Sequence, residues 1–137
     1  MKNWIDKAVN YLDKSLGKVP HELNEIDWKE SLSPNNRKLK QHICAFSNLP
    51  GGGFLIFGVD DKKVAPIGVT QRDAKAIVEK LASLCRNGVE PLVSIDHSVE
   101  AYNNVQLLFV YIKESAEKPV HISGKTIEES FIRSGGT

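Results

Sequence analysis

A glycine-rich stretch, NLPGGGFLIFGVDD at residues 48–61, has residue types that could bind a phosphate. In phosphate-binding loops a strand leads into the glycines, and the first amides of the following helix meet the anion. Here the order is reversed, because a helical pattern precedes the glycines and an apolar strand pattern follows them. The stretch therefore predicts a structural turn and disfavours a nucleotide site. The turn glycines are Gly51, Gly52, Gly53 and Gly58.

Basic side chains are the second group that could do chemistry. The net charge is only +1, so any face that binds nucleic acid has to be local. Lys62 and Lys63 fall on a predicted hairpin tip, where they would contact phosphates without reading sequence. For each lysine taken singly, a solvated surface is the plainer interpretation. The candidate nucleic-acid-binding residues are Lys29, Arg37, Lys38, Lys40, Lys62, Lys63 and Arg133.

The remaining reactive side chains form no recognisable site. Cys44 and Cys85 fall on predicted helix faces without CxxC spacing, which indicates two buried thiols rather than a disulfide or a metal site. Trp28 could stack on a base, but a lone aromatic side chain in a strand is more often part of the core. Zinc is not supported, because metal-ligand spacing is absent among His21, His42, His97 and His121.

The elements that must position these residues follow from hydrophobic periodicity and turn signals. Helical spacing predicts a first helix over 3–16, a second from Ser33-Pro34 up to Leu49, and a third from Thr70 to Asn87-Gly88. Residues 60–63 and 103–104 are predicted turns. Extended segments are predicted at 25–29, 54–59, 64–69, 92–99, 105–112 and 129–133.

This order predicts an α+β fold: a mixed, mainly antiparallel sheet with helices packed on one face. The 137 residues suffice for one domain, and 41% hydrophobic with 26% charged residues is typical of soluble globular proteins. No apolar run approaches the roughly 20 residues of a membrane helix. The N-terminal stretch has no signal-peptide core. We therefore expect a cytoplasmic protein without a membrane partner.

Several short motifs occur in order over roughly residues 22–137. The helix ending in Ala-Phe-Ser-Asn at 45–48 precedes the glycine pair Gly52-Gly53, and Gly-Val-Asp-Asp follows at 58–61. Together with Asp27-Trp28-Lys29 and the closing residues 131–137, they resemble the Schlafen AlbA-like domain family. The family has Glu-Phe-Lys at 27–29, so the carboxylate is one methylene shorter here, and Gly135-Gly136 stands in place of serines in its closing Arg-x-Gly motif.

The resemblance implies three functions. The first is a DNA-binding domain of a bacterial transcriptional regulator. The second is a metal-dependent ribonuclease, whose three acidic residues correspond here to Glu22, Asp27 and Asp60, with Asp61 as a substitute for the last; only then would Mg²⁺ or Mn²⁺ be a cofactor. The third, an ATP-binding domain, is disfavoured by the missing Walker lysine. Without the resemblance, Glu22 is a loop residue, and Asp60 and Asp61 are ordinary turn residues.

The leading hypothesis is a nucleic-acid-binding domain, with DNA favoured over RNA, no cofactor and no chemistry of its own. The ribonuclease is the alternative, followed by the ATP-binding domain and by a dimerisation or scaffold domain. We expect residues 1–18 to form an N-terminal amphipathic helix and 19–137 to form the Schlafen AlbA-like domain. The chain would be the N-terminal part of a longer regulator, with its C-terminal domains and a second copy as possible partners.

Overall fold

The computed structural model of the protein describes residues 2–17 and 24–123, which contain three helices and eight strands. The predicted strand at 129–133, together with Glu22 and Arg133, lies outside the described residues. In chain order the elements are α1 (Ile5–Ser15), β1 (Ile26–Lys29), α2 (Asn36–Ser47), β2 (Gly53–Phe57), β3 (Val59–Asp60), β4 (Ala65–Pro66), α3 (Gln71–Asn87), β5 (Val89–Glu90), β6 (Ile95–Tyr102), β7 (Val105–Ile112) and β8 (His121–Ile122).

Side-chain caps determine where two helices begin. The Thr70 hydroxyl accepts a hydrogen bond from the Asp73 amide at 3.0 Å, and α3 begins one residue later, as predicted. The second helix was predicted to open at Ser33-Pro34, and this start is wrong by about half a turn. Asn35 is the cap instead, because its side-chain oxygen accepts a hydrogen bond from the Lys38 amide at 3.2 Å.

Four strands form the main sheet in the order β1-β2-β7-β6. β1 runs parallel to β2, whereas the β2–β7 and β6–β7 pairs are antiparallel. The predicted hairpin of β6 and β7 is confirmed. Its turn residues Asn103 and Asn104 have φ angles of 47° and 68°, as a two-residue hairpin turn requires. The α+β class with a mixed, mainly antiparallel sheet is likewise confirmed.

The helices cover both faces of the sheet, which corrects the expectation that they pack on one. Leu55 and Phe57 of β2 pack in a cluster with residues of α2 and α3, such as Ile43 and Leu81. The alternate residues Phe54 and Ile56 pack in a second cluster with α1. The physical reason is visible in β2 itself, since all five of its residues are buried, and a strand buried on both sides needs cover on both sides.

Both cysteines lie in the α2–α3 layer. Cys44 and Cys85 are free thiols with 0% and 1% of their surface exposed, as the sequence predicted. Burial raises the pKa of each thiol to about 12, because a thiolate would lose its hydration there. Neither cysteine is therefore a nucleophile in the folded protein.

The smaller strands pair outside the main sheet. β3 pairs with β4, and β5 pairs with β8, each antiparallel over two residues. The strand predicted at 64–69 is reduced to Ala65–Pro66, and the β5–β8 pair was not predicted. Within the described ranges, no helix has the length and apolar character needed to cross a membrane.

Candidate functional site

A cleft of about 270 Å³ opens where β1, α2 and the β3–β4 turn meet. Its polar lining combines positive and negative side chains, and apolar side chains from the α2–α3 layer complete its walls. Lysine, histidine and aspartate therefore converge here from three separate segments of the chain. The charged and titratable lining residues are Asp27, Lys29, Lys38, His42 and Asp61, and the apolar ones include Leu32, Leu39, Leu55 and Phe57.

The alternation of side chains along β1 directs Asp27 into this cleft. Trp28 faces α1, where its indole N–H donates to the Ser15 hydroxyl at 2.6 Å, so its predicted core role is confirmed. Its neighbours Asp27 and Lys29 face the opposite side of the sheet, toward α2. A short β-strand thus buries an aromatic residue on one side and presents a carboxylate on the other.

Asp27 is 1% exposed, and the nearest basic side-chain nitrogens lie beyond good hydrogen-bond distance of its carboxylate. Oδ1 lies 3.8 Å from Nζ of Lys29, and Oδ2 lies 3.6 Å from Nδ1 of His42. Both separations exceed the usual hydrogen-bond length. In the described part of the chain, Oδ1 of Asp27 is the buried side-chain oxygen left without a hydrogen-bond partner. Such an atom costs stability, and functional sites are where this cost is commonly retained.

The predicted basic residues divide into those near the cleft and those away from it. Lys29, with 37% of its side chain exposed, and Lys38 both line the cleft. Lys62 and Lys63 are exposed and directly follow Asp61, which lines the cleft, but they do not line it themselves. Arg37 is exposed in the first turn of α2 but does not line the cleft, and Lys40 lies beside Gly88 at the end of α3.

The two adjacent aspartates of the β3–β4 turn have different roles. Oδ1 of Asp60 accepts hydrogen bonds from the amides of Lys62 and Lys63, at 2.8 and 2.9 Å. These bonds, the one from Lys63 first, hold the pKa of Asp60 below its ordinary value. Asp60 therefore shapes the turn. Asp61 lines the cleft instead, in the position that the resemblance assigned first to Asp60.

A metal site formed by the acidic trio is only partly matched by these residues. Asp27 and Asp61 line one cleft, whereas Asp60 is bound to its own turn and Glu22 lies outside the described residues. Over 2–17 and 24–123, no group of three histidine, cysteine, aspartate or glutamate side chains is arranged to hold a metal ion. The described residues alone do not fit a divalent cation.

The glycine turn is bonded to other parts of the protein. Gly51 and Gly52 have φ angles of 83° and 76°, which only glycine adopts easily. The Gly51 amide donates to Oε1 of Glu114 at 2.8 Å, and the Tyr111 hydroxyl donates to the Gly51 carbonyl at 3.0 Å. The hydrogen bond from the Gly51 amide is the largest cause that lowers the pKa of Glu114, and the hydrogen bond from Lys118 is the second. A carboxylate thus occupies the amide that a phosphate would need.

His42 lines the cleft, although the sequence considered alone gave it no role beyond a rejected zinc site. The only indication in the sequence is its spacing from Lys38. The two residues are four positions apart on α2 and therefore share one helix face. Ser31 and Ser33, which also line the cleft, carried no signal at all.

Comparisons with known proteins agree with the fold and with the motifs. The N-terminal domain of an ATP-dependent DNA helicase RecG-related protein from Nitrosomonas europaea matches with 25% identity and a TM-score of 0.66, covering 95% of this chain and 90% of that one. The DIP2311 protein from Corynebacterium diphtheriae matches with 18% identity and a TM-score of 0.58, covering 99% of this chain. This chain spans only 26% of that protein, and the likeness there shows the fold alone.

No curated protein matches the chain significantly in sequence. The family model described as "Schlafen, AlbA_2" matches residues 22–137, the same range over which the motifs resemble that family. The matched range includes β1, α2, β2 and the β3–β4 turn, which contribute residues to the lining of the cleft. The chain therefore belongs to the Schlafen AlbA_2 family.

Proposed function

We propose that this protein is a nucleic-acid-binding domain of a cytoplasmic bacterial transcriptional regulator, and that it contacts the backbone of DNA through lysines around the cleft. The Schlafen AlbA_2 family and the RecG-related neighbour, which is named for its relation to a DNA helicase, support a nucleic-acid-related role. We further propose that the nucleic acid is DNA and not RNA.

One observation supports the proposal: Lys29 and Lys38 line the same cleft, and the turn with Lys62 and Lys63 contributes Asp61 to its lining. We infer that the two exposed lysines of the turn add to this local positive charge on a protein whose net charge is only +1. Ammonium groups attract phosphates as point charges and carry no sequence information. The arrangement supports backbone binding rather than base recognition.

The acidic residues of the cleft limit its affinity. Asp27 lies 3.8 Å from the Lys29 ammonium, so a phosphate that approaches Lys29 competes with a carboxylate already there. Lys38, Lys62 and Lys63 have no such partner among the ion pairs of the described residues. We expect these three to carry most of the binding, and the affinity to be modest and strongly salt-dependent.

Fluorescence anisotropy with duplex DNA, single-stranded DNA and structured RNA at several salt concentrations tests the proposal. The variant Lys38→Ala, and the double variant Lys62→Ala with Lys63→Ala, should each weaken binding to all nucleic-acid sequences alike. The slope of log K against log salt should fall by about 1 for each phosphate that the variant no longer binds. Lys80→Ala is the matched control, since Lys80 is an exposed lysine of α3 that does not line the cleft.

Two results would overturn the proposal. One is no binding to any of the three nucleic acids at low salt. The other is an equally weakened affinity in Lys80→Ala, which would show that the protein attracts nucleic acid through its general charge and not through this cleft.

A metal-dependent ribonuclease is the second candidate, favoured by one observation. Asp27 and Asp61 line the same cleft, and Oδ1 of Asp27 is buried without a hydrogen-bond partner. Incubation of structured RNA with Mn²⁺ and analysis of the products on a gel separates this candidate from simple binding. A nuclease of this cleft should lose cleavage in Asp27→Asn and Asp61→Asn. Asp60→Asn is the control, and equal loss there would point to a disturbed turn.

A further inference from the structure

The outer edge of β6 exposes a defined set of peptide groups. The Lys113 amide donates to the Ser94 carbonyl at 3.1 Å, which makes Ser94 and Lys113 a hydrogen-bonded pair in the β6–β7 register. Hydrogen-bonded and non-hydrogen-bonded pairs alternate along an antiparallel ladder. The N–H and C=O groups of Ile95, His97, Val99 and Ala101 consequently point away from β7, toward the open side of the sheet.

The outward groups of His97 are already bonded to a side-chain clamp. The His97 amide donates to Oδ1 of Asp96 at 2.9 Å, and the His97 carbonyl accepts a hydrogen bond from the Lys2 ammonium. Lys2 and Asp96 form an ion pair at 2.6 Å, and the Trp4 indole donates to Oδ2 of Asp96 at 2.8 Å. One ion pair therefore blocks both peptide groups that a further strand would use at this position.

Beyond His97 the edge strand is exposed at Val99 and Ala101. Val99 is 40% exposed, although it belongs to a strand of the core sheet. Beside it, a groove of about 470 Å³ runs between α3 and β6, with Ala74, Val78 and Leu108 in its lining and the polar side chains of Gln71, Lys75, Glu79 and His97 around them. An exposed edge next to an apolar groove is the geometry that adds another strand.

We propose that the outer edge of β6 is a self-association edge that accepts β6 of a second copy of this chain, and that Lys2 and Asp96 hold it closed. The two strands would pair antiparallel about a twofold axis at Val99. His97 of each copy would then face Ala101 of the other, so the clamp occupies the groups that this pairing needs.

Charge selects this register. Two symmetric registers overlap most of β6, one centred on Ser98 and one on Val99. The Ser98 register sets Asp96 opposite Glu100 of the second copy, and two directly opposed carboxylates repel. The Val99 register sets Asp96 opposite Tyr102 and Ser98 opposite Glu100, so no like charges meet. It also buries the two Val99 side chains against each other, next to both apolar grooves.

The experiment is to open the clamp and measure the mass in solution. The native chain should sediment as a 15.2 kDa monomer over the micromolar range. The double variant Lys2→Ala with Asp96→Ala should show a concentration-dependent species of twice that mass. If the double variant does not fold, Lys2→Ala alone keeps the Trp4–Asp96 bond and frees the His97 carbonyl, and it should form the same dimer at higher concentration. A dimeric native chain, or a folded open variant that stays monomeric, would overturn the proposal.

Two further variants test the register. In the Val99 register the paired Val99 Cα atoms would be about 5.5 Å apart, within the range of a disulfide. Val99→Cys should therefore cross-link in the Lys2→Ala background, which keeps the Asp96 carboxylate that selects this register, and not in the native chain. Cys44 and Cys85 are buried and do not compete. Val99→Lys should abolish the dimer by opposing two ammonium groups. A dimer that survives Val99→Lys would show that the copies meet elsewhere.

Discussion

The two outer strands of the sheet, β1 and β6, each carry an aspartate, and the protein bonds the two carboxylates in opposite ways. Asp96 on β6 accepts hydrogen bonds from Lys2, Trp4 and the His97 amide, although its side chain is 32% exposed. Asp27 on β1 is almost completely buried, yet its Oδ1 has no hydrogen-bond partner among the residues that the structure describes. The exposed carboxylate is the fully bonded one.

This difference separates a stabilising contact from a candidate site. A carboxylate with three donors contributes to stability and holds a strand edge in place. A buried carboxylate whose nearest ammonium group lies 3.8 Å away lowers the stability of the fold unless its charge has a function. The cleft beside β1 is therefore the candidate binding site, whereas the bonds of Asp96 stabilise the edge of β6.

Helix α1 connects the two edges, and breaking its packing should have the largest effect. Ser15 accepts from Trp28 of β1, and Asp13 accepts from Tyr102 of β6 at 2.5 Å. Leu12, the residue before Asp13, is fully buried in the cluster that α1 forms with the sheet. Leu12→Ala should lower the free energy of unfolding by about 3 kcal/mol, measured by urea denaturation. The exposed neighbour Lys14→Ala should change it by less than about 0.5 kcal/mol, and equal destabilisation would contradict the role of α1.

Neutral isosteres sharpen the comparison of the two aspartates, with a smaller effect. Asp96→Asn removes an acceptor of charge-assisted bonds and should cost about 1 kcal/mol at neutral pH, a value reduced by solvent screening. Asp27→Asn should leave stability unchanged or raise it by about 1 kcal/mol, because it removes a buried charge. Parallel urea titrations of both variants measure this. A larger destabilisation in Asp27→Asn than in Asp96→Asn would reverse the comparison.

Acid should remove the advantage of Asp96, and this is the smallest effect. Desolvation raises its pKa, but the bonds from Lys2, Trp4 and the His97 amide outweigh that and lower it to about 2 from 3.8. A lowered folded pKa stabilises the protein above the unfolded value, and this stabilisation disappears as pH falls toward the folded one. The stability difference between the native chain and Asp96→Asn should shrink between about pH 4 and pH 2. A constant difference would mean that the charge of Asp96 contributes nothing.

The sequence predicted most elements, since their signals are local. Thr70 caps α3, and Asn103-Asn104 turns the β6–β7 hairpin. The placement of helices on one face failed, although the unbroken apolar run at 54–57 already indicated a strand buried on both sides. The β5–β8 pair spans two residues and has no local signal.

The cleft was harder to predict than the fold. Alternation around Trp28 was enough to set Asp27 and Lys29 on one side of β1, but which helix faces them depends on tertiary packing. The choice between Asp60 and Asp61 depends on which carboxylate the turn uses for its own amides. Motif position alone does not contain that information.

The buried thiols of α2 and α3 can report how often the α2–α3 layer opens. An alkylating reagent attacks a thiolate, and with pKa values of about 12 neither Cys44 nor Cys85 supplies one while the layer is closed. The rate at which the two thiols of the unmodified chain are alkylated should therefore follow the frequency of local opening of the α2–α3 layer. A ligand that binds in the cleft against α2 should lower this alkylation rate. Binding can then be followed without attaching a probe to the protein or to the ligand.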